Sequence, residues 1–192
     1  IEVIPDRVEA GTFLMAGAAL GEVTINKIVP THLRTVLIKL EETGAKVRTN
    51  QNSITITRSD KIIPVDMTTA VFPGFPTDLQ AQWVALMMLA EGSSVITDTV
   101  YHDRFSHVPE LNRLGANIHV ENNVAIIRGV KKLVGAPVMS TDIRASASLI
   151  NGGLMAHGRT EVSRIYHIDR GYERIEEKFR SLGADIMRKT ES

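Results

Sequence analysis

The chain repeats one pattern of glycines and apolar segments three times. A Gly-Ala dipeptide closes a helix-like segment in each copy, at Gly44, Gly115 and Gly183, which lie 71 and 68 residues apart. Another glycine lies 23, 23 and 25 residues upstream of these, at Gly21, Gly92 and Gly158. Self-similarity at a fixed period indicates copies of one supersecondary unit packed together. We place the three units at about residues 1–60, 61–130 and 131–192.

The hydrophobic period predicts the same order of elements in each unit. It switches between helical and alternating spacing in the order strand, helix A, strand, helix B, strand, strand. In the first unit helix B covers residues 31–43, with Thr31 as its N-cap and Gly44 as its left-handed C-terminal cap. Closing strands are predicted at residues 53–58, where isoleucine alternates with threonine, and at residues 123–128.

Helix A and helix B differ in polarity. Residues 79–89 and 145–156, the A helices of the second and third units, are apolar or small on nearly all sides, which is typical of helices buried inside a fold. Helix B of the third unit has a charged face. We therefore predict an α/β (α+β) fold with the sheets outside and the A helices inside. The third unit ends after a third strand near residues 185–188, so we expect an unpaired sheet edge there.

Composition narrows the class of protein. The 192 residues contain 22 Lys and Arg against 22 Asp and Glu, so no net charge attracts nucleic acid or an anionic membrane. No apolar run approaches the roughly 20 residues that a membrane-spanning helix needs. The chain has no cysteine, and its six histidines lack the spacing of metal ligands. We therefore expect a cytoplasmic protein, with neither nucleic acid nor membrane as a partner.

Charged side chains recur at one end of the second and third units. Asp78 and Asp142 open the A helices, Arg144 lies in the first turn of the third A helix, and Arg104 and Arg170 each follow the unit glycine by 12 residues. A chain that runs along helix A and returns along a strand brings the loop before helix B back to the start of helix A. We therefore expect these side chains at one rim, where helix N-termini and arginines favour a phosphate or carboxylate ligand.

Each of these residues also has a structural interpretation. An aspartate after a threonine at a helix start, such as Asp78 or Asp142, is a common N-cap. Arg104 and Arg170 each follow an aspartate, which is equally consistent with local ion pairs. Arg144 lies in an apolar helix, where a lone arginine is costly unless it is paired or bound to a ligand, and this favours a functional role.

Five segments resemble the enolpyruvate transferase family, and within it the UDP-N-acetylglucosamine 1-carboxyvinyltransferases. They are PDRVEAGT (5–12), FPTDLQAQ (75–82), RFSHVPEL (104–111), TDIRASAS (141–148) and HIDRGYE (167–173). The resemblance runs through the whole chain, and several long motifs in the right order make it specific. It implies an enzyme of two similar domains, each an inside-out α/β barrel of three βαβαββ repeats. This chain resembles the second domain only, and the final strand missing from its last repeat would come from the N-terminus of the whole enzyme.

The resemblance implies transfer of enolpyruvate from phosphoenolpyruvate to the 3-hydroxyl of UDP-N-acetylglucosamine, with release of phosphate, as the first committed step of peptidoglycan synthesis. The implied partners are these two substrates and the missing first domain. That domain would supply an acid, a mobile-loop cysteine or aspartate, and a Lys-Asn pair near the phosphate. No metal or organic cofactor is implied, and we expect the 192 residues alone to have no turnover.

The resemblance also assigns roles to the charged residues at the rim. Asp78 matches the general base on the sugar 3-hydroxyl, and Asp142 matches an aspartate that assists proton transfer beside the enolpyruvate. Arg144 and Arg170 match arginines that hold the carboxylate and phosphate of phosphoenolpyruvate, and we count Arg170 among the catalytic residues. Arg104 matches an arginine that lines the same pocket.

Val100 corresponds to a backbone contact with the nucleotide sugar. Two alternatives to UDP-N-acetylglucosamine as the acceptor substrate, or to enolpyruvate transfer as the activity, stay open. The 5-enolpyruvylshikimate-3-phosphate synthases share the fold and the chemistry but not the quoted motifs. A non-catalytic domain that binds a sugar nucleotide or acts as a scaffold would need only the repeat.

Overall fold

The computed structural model describes residues 3–189, in which the chain forms six α-helices and nine β-strands. In chain order these are α1 (Arg7–Leu20), β1 (Glu22–Asn26), α2 (Arg34–Glu42), β2 (Lys46–Asn50), β3 (Ser53–Thr57), β4 (Met67–Thr68), α3 (Gln80–Met87), β5 (Ser93–Thr97), α4 (Val108–Arg113), β6 (Asn117–Glu121), β7 (Val124–Arg128), β8 (Pro137–Met139), α5 (Ile143–Met155), β9 (Glu161–Ser163) and α6 (Ile175–Ser181). Three 3₁₀ turns lie at Pro30–Leu33, Thr77–Leu79 and Ile165–Arg170. Helices α1, α3 and α5 are the A helices, and α2, α4 and α6 are the B helices.

The A helices form the centre of the molecule, where they pack against one another. Every residue of α3 is buried, and Trp83 in its middle has no exposed surface. Burial on all sides suits a helix that has no polar face. The prediction that the A helices lie inside is confirmed. Among residues 3–189, no helix combines the length and the hydropathy that a membrane crossing requires.

Three sheets enclose these helices. Their strand orders are β1-β3-β2, β4-β5-β7-β6 and β8-β9. The pairs that involve β3 and β7 are antiparallel, whereas β4 pairs with β5, and β8 with β9, in parallel. Buried residues alternate with more exposed ones along β3 and β7, as expected when one face of a sheet packs on helices. The chain folds as an inside-out α/β barrel, as predicted.

The predicted strand at residues 185–188 is wrong, because these residues form no strand. In the first two sheets the last strand of the unit, β3 or β7, lies between two others and pairs with both. No strand follows β9 within residues 3–189, so residues 185–188 lack the central strand that they would pair with. In this part of the chain β9 pairs only with β8, which leaves the expected open edge. The unit boundaries stay predictions, and residues 1–2 and 190–192 at their ends lie outside the described residues.

The repeated glycines end B helices as the sequence predicts. Gly44, Gly115 and Gly183 have φ angles of +93°, +87° and +93°, in the left-handed region that favours glycine. The start of α2 differs from the prediction. Thr31 lies inside the 3₁₀ turn Pro30–Leu33 and caps no helix, because α2 begins only at Arg34. The assignment of Thr31 as an N-cap is therefore wrong.

Candidate active site

A carboxylate held by two arginines forms the centre of the predicted rim. Asp78 lies in the 3₁₀ turn before α3, Arg104 in the loop between β5 and α4, and Arg144 in the first turn of α5. Arg144 Nε and Nη2 lie 2.6 Å and 2.5 Å from Asp78 Oδ1, and Arg104 Nη1 lies 3.1 Å from the same oxygen. The structure thus brings together three predicted site residues, of which Asp78 and Arg144 are 66 positions apart.

The two oxygens of the Asp78 carboxylate have different surroundings. Both arginines donate to Oδ1, whereas no group within residues 3–189 donates to Oδ2. The side chain is 41% exposed, so part of Asp78 is in contact with solvent. Partial burial acts to raise the pKa of Asp78, but the hydrogen bonds and charges of Arg144 and Arg104 outweigh it and hold the pKa below its usual value. Asp78 is therefore an ionised carboxylate with one oxygen engaged and one open.

Asp142 acts as the N-cap of α5, which was the structural interpretation of this residue. Its Oδ1 accepts hydrogen bonds from the backbone N–H groups of Arg144 at 2.8 Å and Ala145 at 3.1 Å. Ser106 Oγ donates to Oδ2 at 3.3 Å. Burial acts to raise the pKa of Asp142, but these backbone and hydroxyl donors outweigh it, so the pKa lies below its usual value. The cap fixes this carboxylate one residue before the start of α5.

Asp78 and Arg104 do not have the local partners that the structural interpretation assumed. Asp78 caps no helix, since neither the 3₁₀ turn that contains it nor α3 has a side-chain cap. Arg104 pairs with Asp78 instead of the adjacent Asp103, and its guanidinium lies over the Tyr101 ring, 4.3 Å from the ring centroid. The N-cap interpretation is therefore wrong for Asp78, whereas Arg104 does form an ion pair, with Asp78 from another segment instead of with its neighbour.

Arg170 lies at the same rim but does not contact the cluster of Asp78, Arg104 and Arg144. Its side chain is exposed, and the neighbouring Asp169 pairs with Arg188 through two hydrogen bonds of 2.9 Å and 2.6 Å. Gly171 packs closely on α5, where an added Cβ would lie 2.6 Å from Ile143 Cδ1. The backbone of this turn is therefore next to the start of α5. Within the described residues, the Arg170 side chain makes no hydrogen bond with the rest of the predicted site.

Tyr172 anchors the turn that carries Arg170 to the central helices. Its hydroxyl lies 2.7 Å from Thr12 Oγ1 of α1 and accepts from Gln82 Nε2 of α3 at 3.4 Å. Burial raises the pKa of Tyr172 to about 12, so the phenol is neutral at physiological pH. The position of the Arg170 turn therefore depends on helices from the other two units.

A cavity of about 210 Å³ lies beside the two arginines. Its lining includes Tyr101, Arg104, Ser106, His107, Asp142 and Arg144. Asp78 does not line this cavity but contacts both arginines that do. Guanidinium and hydroxyl groups on the walls suit a small anionic ligand. In residues 3–189, no three His, Asp or Glu side chains come together to hold a metal ion.

His107 is a residue of this cavity that the sequence analysis missed. It is 2% exposed, and its Nε2 atom is buried without a hydrogen-bond partner in the described part of the chain. Burial lowers the pKa of His107 from 6.5 to about 4, although the charge of Asp142 acts in the opposite direction. His107 belongs to the quoted segment 104–111, but nothing in a single sequence shows that its side chain is buried.

We expect His107 to make the folded protein less stable in acid. The unfolded chain binds a proton at this imidazole near pH 6.5, whereas the folded chain binds it only near pH 4. As the pH falls through this interval the unfolded state binds more protons, and the folded state loses about 3 kcal/mol relative to it. The contribution is fully present above pH 6.5 and is lost by about pH 4.

The change His107→Gln tests this expectation, because glutamine takes up no proton. The melting temperature of the full-length protein should then depend less steeply on pH between about 7 and about 4. His119→Gln is the matched control, since His119 is exposed on β6, and it should keep the wild-type slope. An unchanged slope for His107→Gln would contradict the prediction.

Val100 lies in the turn after β5. Its partner Asp98 is a second residue that the sequence analysis missed, and the contact is made by the Val100 backbone N–H. It donates to Asp98 Oδ1 at 3.0 Å, as does the N–H of Tyr101 at 2.9 Å. Asp98 has no exposed surface. The repeat contains one sequence feature that could have indicated Asp98. The residue six positions after the unit glycine is Asp98 in the second unit but Lys27 or Arg164 in the other two. Only the second unit carries an acid there.

Comparison with known proteins supports the same kind of fold. The family model for EPSP synthase (3-phosphoshikimate 1-carboxyvinyltransferase) matches residues 1–179. The UDP-N-acetylglucosamine 1-carboxyvinyltransferase of Pelodictyon phaeoclathratiforme is 57% identical over 184 residues, which are 95% of this chain and 43% of that protein. The enzyme of the same name from Bdellovibrio bacteriovorus is 56% identical over 188 residues, or 97% of this chain and 45% of that protein. The crystal structure of the enolpyruvyl transferase NikO from Streptomyces tendae superposes with a TM-score of 0.87 at 30% identity, covering 96% of this chain and 44% of that one.

Central helices enclosed by sheets give the chain the fold of a domain of the enolpyruvyl transferase NikO. The chain belongs to the EPSP synthase (3-phosphoshikimate 1-carboxyvinyltransferase) family. The resemblance carried by the five sequence segments is thereby confirmed. The chain spans a little under half the length of the curated relatives it matches, 43% to 46%.

Proposed function

We propose that the protein to which this chain belongs transfers the enolpyruvyl group of phosphoenolpyruvate to the 3-hydroxyl of UDP-N-acetylglucosamine and releases phosphate. The observation that carries the proposal is the Asp78 carboxylate, held by Arg104 and Arg144 through Oδ1 while Oδ2 stays open. The reaction needs a base for a hydroxyl group and fixed positive charge for a substrate with a phosphate and a carboxylate. The names of the relatives at 57% and 56% identity support this acceptor, and with it a step of peptidoglycan synthesis.

The arginines bind the anionic groups of phosphoenolpyruvate. Arg144 and Arg170 hold its carboxylate and phosphate, and Arg104 lines the same pocket. Substrate oxygens and Asp78 Oδ1 therefore compete for the same guanidinium donors. When the substrate takes these donors, Asp78 loses the contacts that lower its pKa and becomes a stronger base. Substrate binding and activation of the base are coupled in this way.

The chemical step is an addition followed by an elimination. Asp78 Oδ2 accepts the proton of the 3-hydroxyl while the hydroxyl oxygen attacks C2 of the enolpyruvate, and an acid protonates C3. The adduct then loses a proton from C3 and the C–O bond to phosphate breaks, which restores the double bond. Asp142, fixed by its cap beside the cavity, assists the proton transfer at this carbon.

The acid and the remaining substrate contacts belong to a partner domain of the same protein. This proposal rests on the resemblance, which assigns to the other domain a mobile-loop cysteine or aspartate and a Lys-Asn pair. The chain spans 43% and 45% of two relatives of the proposed activity, which is consistent with one of two similar domains. Cytoplasmic location stays a prediction from the sequence.

The direct test is phosphate release by the purified full-length protein. We expect release with phosphoenolpyruvate and UDP-N-acetylglucosamine, and none when shikimate 3-phosphate replaces the sugar nucleotide. Release with shikimate 3-phosphate alone would favour the 5-enolpyruvylshikimate-3-phosphate synthase alternative, and binding of the sugar nucleotide without release would favour a non-catalytic domain. The 192-residue chain by itself should release no phosphate, since it lacks the acid.

A further inference from the structure

Asp98 accepts four hydrogen bonds from groups around the part of the site that is proposed to bind the sugar nucleotide. We call this part the acceptor side, because the sugar nucleotide accepts the enolpyruvyl group. Thr69 Oγ1 and the N–H groups of Val100 and Tyr101 donate to its Oδ1, at 2.8 Å, 3.0 Å and 2.9 Å. Thr77 Oγ1 donates to its Oδ2 at 2.7 Å. These donors come from three segments, namely the end of β4, the turn before α3 and the turn after β5.

In the described part of the chain, the Asp98 carboxylate is satisfied by these hydrogen-bond donors and not by a cation. The side chain has no exposed surface, and within residues 3–189 no Lys, Arg or His lies within ion-pair distance of it. A buried charge without a cation is costly unless hydrogen bonds satisfy it, and four hydrogen bonds do so here. Such a carboxylate holds its donors in one geometry, because moving any of them leaves the charge less satisfied.

Two of the groups held by Asp98 belong to the proposed site. Thr77 directly precedes Asp78, the proposed base, and both lie in the turn Thr77–Leu79. Val100 is the proposed backbone contact of the nucleotide sugar. Tyr101, the next residue, lies under the guanidinium of Arg104. One buried carboxylate therefore sets the distance between the base and the segment that contacts the sugar nucleotide.

We infer that Asp98 is a positioning residue for the acceptor side of the site, an inference that rests on the proposed function. It acts through Thr77 on Asp78 and through its backbone donors on Val100. It makes no hydrogen bond with Arg144 or Arg170, which belong to α5 and the turn before α6. The binding of UDP-N-acetylglucosamine therefore depends on Asp98 much more than the binding of phosphoenolpyruvate does.

The variant Asp98→Asn in the full-length protein tests the inference. With the amide oxygen in the place of Oδ1, the NH₂ group takes the place of Oδ2 and cannot accept from Thr77 Oγ1, so the turn that carries Asp78 shifts. We expect KM for UDP-N-acetylglucosamine to rise and kcat/KM for it to fall about 10- to 100-fold, since small misplacements of reacting groups have effects of this size. KM for phosphoenolpyruvate should stay within about twofold of wild type.

Asp66→Asn is the matched control. Asp66 Oδ1 also accepts a backbone N–H of the second sheet, that of Val95 at 2.7 Å, but it is exposed and touches no residue of the site. Its kinetics should match wild type. If Asp98→Asn changes KM for both substrates equally, or changes neither, the inference is overturned.

A second variant decides the matter if Asp98→Asn does not fold. Thr77→Val keeps the shape of the side chain and removes only the donor to Asp98 Oδ2. It should raise KM for UDP-N-acetylglucosamine in the same way, and an unchanged KM would overturn the inference. A wild-type protein that transfers no enolpyruvate overturns the proposed function and this inference with it. If the wild-type protein is active and the variants keep the wild-type KM for UDP-N-acetylglucosamine, only this inference is overturned.

Discussion

Replacing Asp78 with asparagine in the full-length protein should lower kcat about 100- to 10,000-fold, the range typical of a lost general base. The same change should tighten the binding of inorganic phosphate about two- to fivefold, because it frees Arg104 and Arg144 from a partly exposed ion pair. Loss of rate together with tighter anion binding is the signature of a base that competes with the substrate for the same arginines. Steady-state kinetics and phosphate titration measure the two effects separately.

Asp142→Asn is the control for the binding effect. The Asp142 carboxylate accepts from backbone N–H groups and hydroxyls, and within residues 3–189 it holds no arginine side chain. Its loss should therefore tighten phosphate binding less than the loss of Asp78. Turnover of Asp78→Asn near the wild-type level would remove Asp78 as the base and favour the alternative of a non-catalytic domain.

Replacing Arg144 with methionine should lower kcat/KM for phosphoenolpyruvate about 10- to 150-fold, as expected for one lost hydrogen-bonded contact with a charged group. Arg144→Lys should recover only part of this loss, because lysine keeps the charge but not the planar pair of donors. We expect this partial recovery because Nε and Nη2 of Arg144 both contact one carboxylate oxygen, that of Asp78, and lysine has no such pair of donors. Kinetics at varied phosphoenolpyruvate and saturating sugar nucleotide measure both variants.

The Arg144 change should also move the pH profile. Arg144 lowers the pKa of Asp78, so its removal raises that pKa. Since the base acts only when it is ionised, the acid limb of kcat/KM should shift to higher pH in Arg144→Met. Arg159→Met is the control, because Arg159 is exposed and pairs with Glu161 at 2.6 Å, beyond the C-terminal end of α5. A shift toward lower pH in Arg144→Met, or an equal shift in the control, would contradict this account.

Several features of the fold were predictable because they depend on local patterns. Left-handed caps at Gly44, Gly115 and Gly183 need only a residue without Cβ at a helix end. Asp142 caps α5 because its donors are the next residues in the chain. The strand at residues 185–188 was mispredicted because an apolar pattern does not show whether a neighbouring strand is present to pair with it.

Features of the site that depend on distant residues were predicted less well. The rim that joins Asp78, Arg104 and Arg144 was expected, but the capping role considered for Asp78 was wrong because its partners come from other segments. His107 and Asp98 were missed, since burial is a property of the packed molecule. The roles of these groups in a reaction stay predictions, and the variants above test them.

The sequence by itself determined the architecture, because a repeat of about seventy residues with a largely apolar A helix in each unit has to enclose those helices. Only the tertiary structure decided which charges meet. Asp78 and Arg144 are 66 positions apart, and their contact depends on how the second and third units pack around the shared helices. Coulombic and hydrogen-bond energies depend on distance and burial in three dimensions, which the order of residues does not specify.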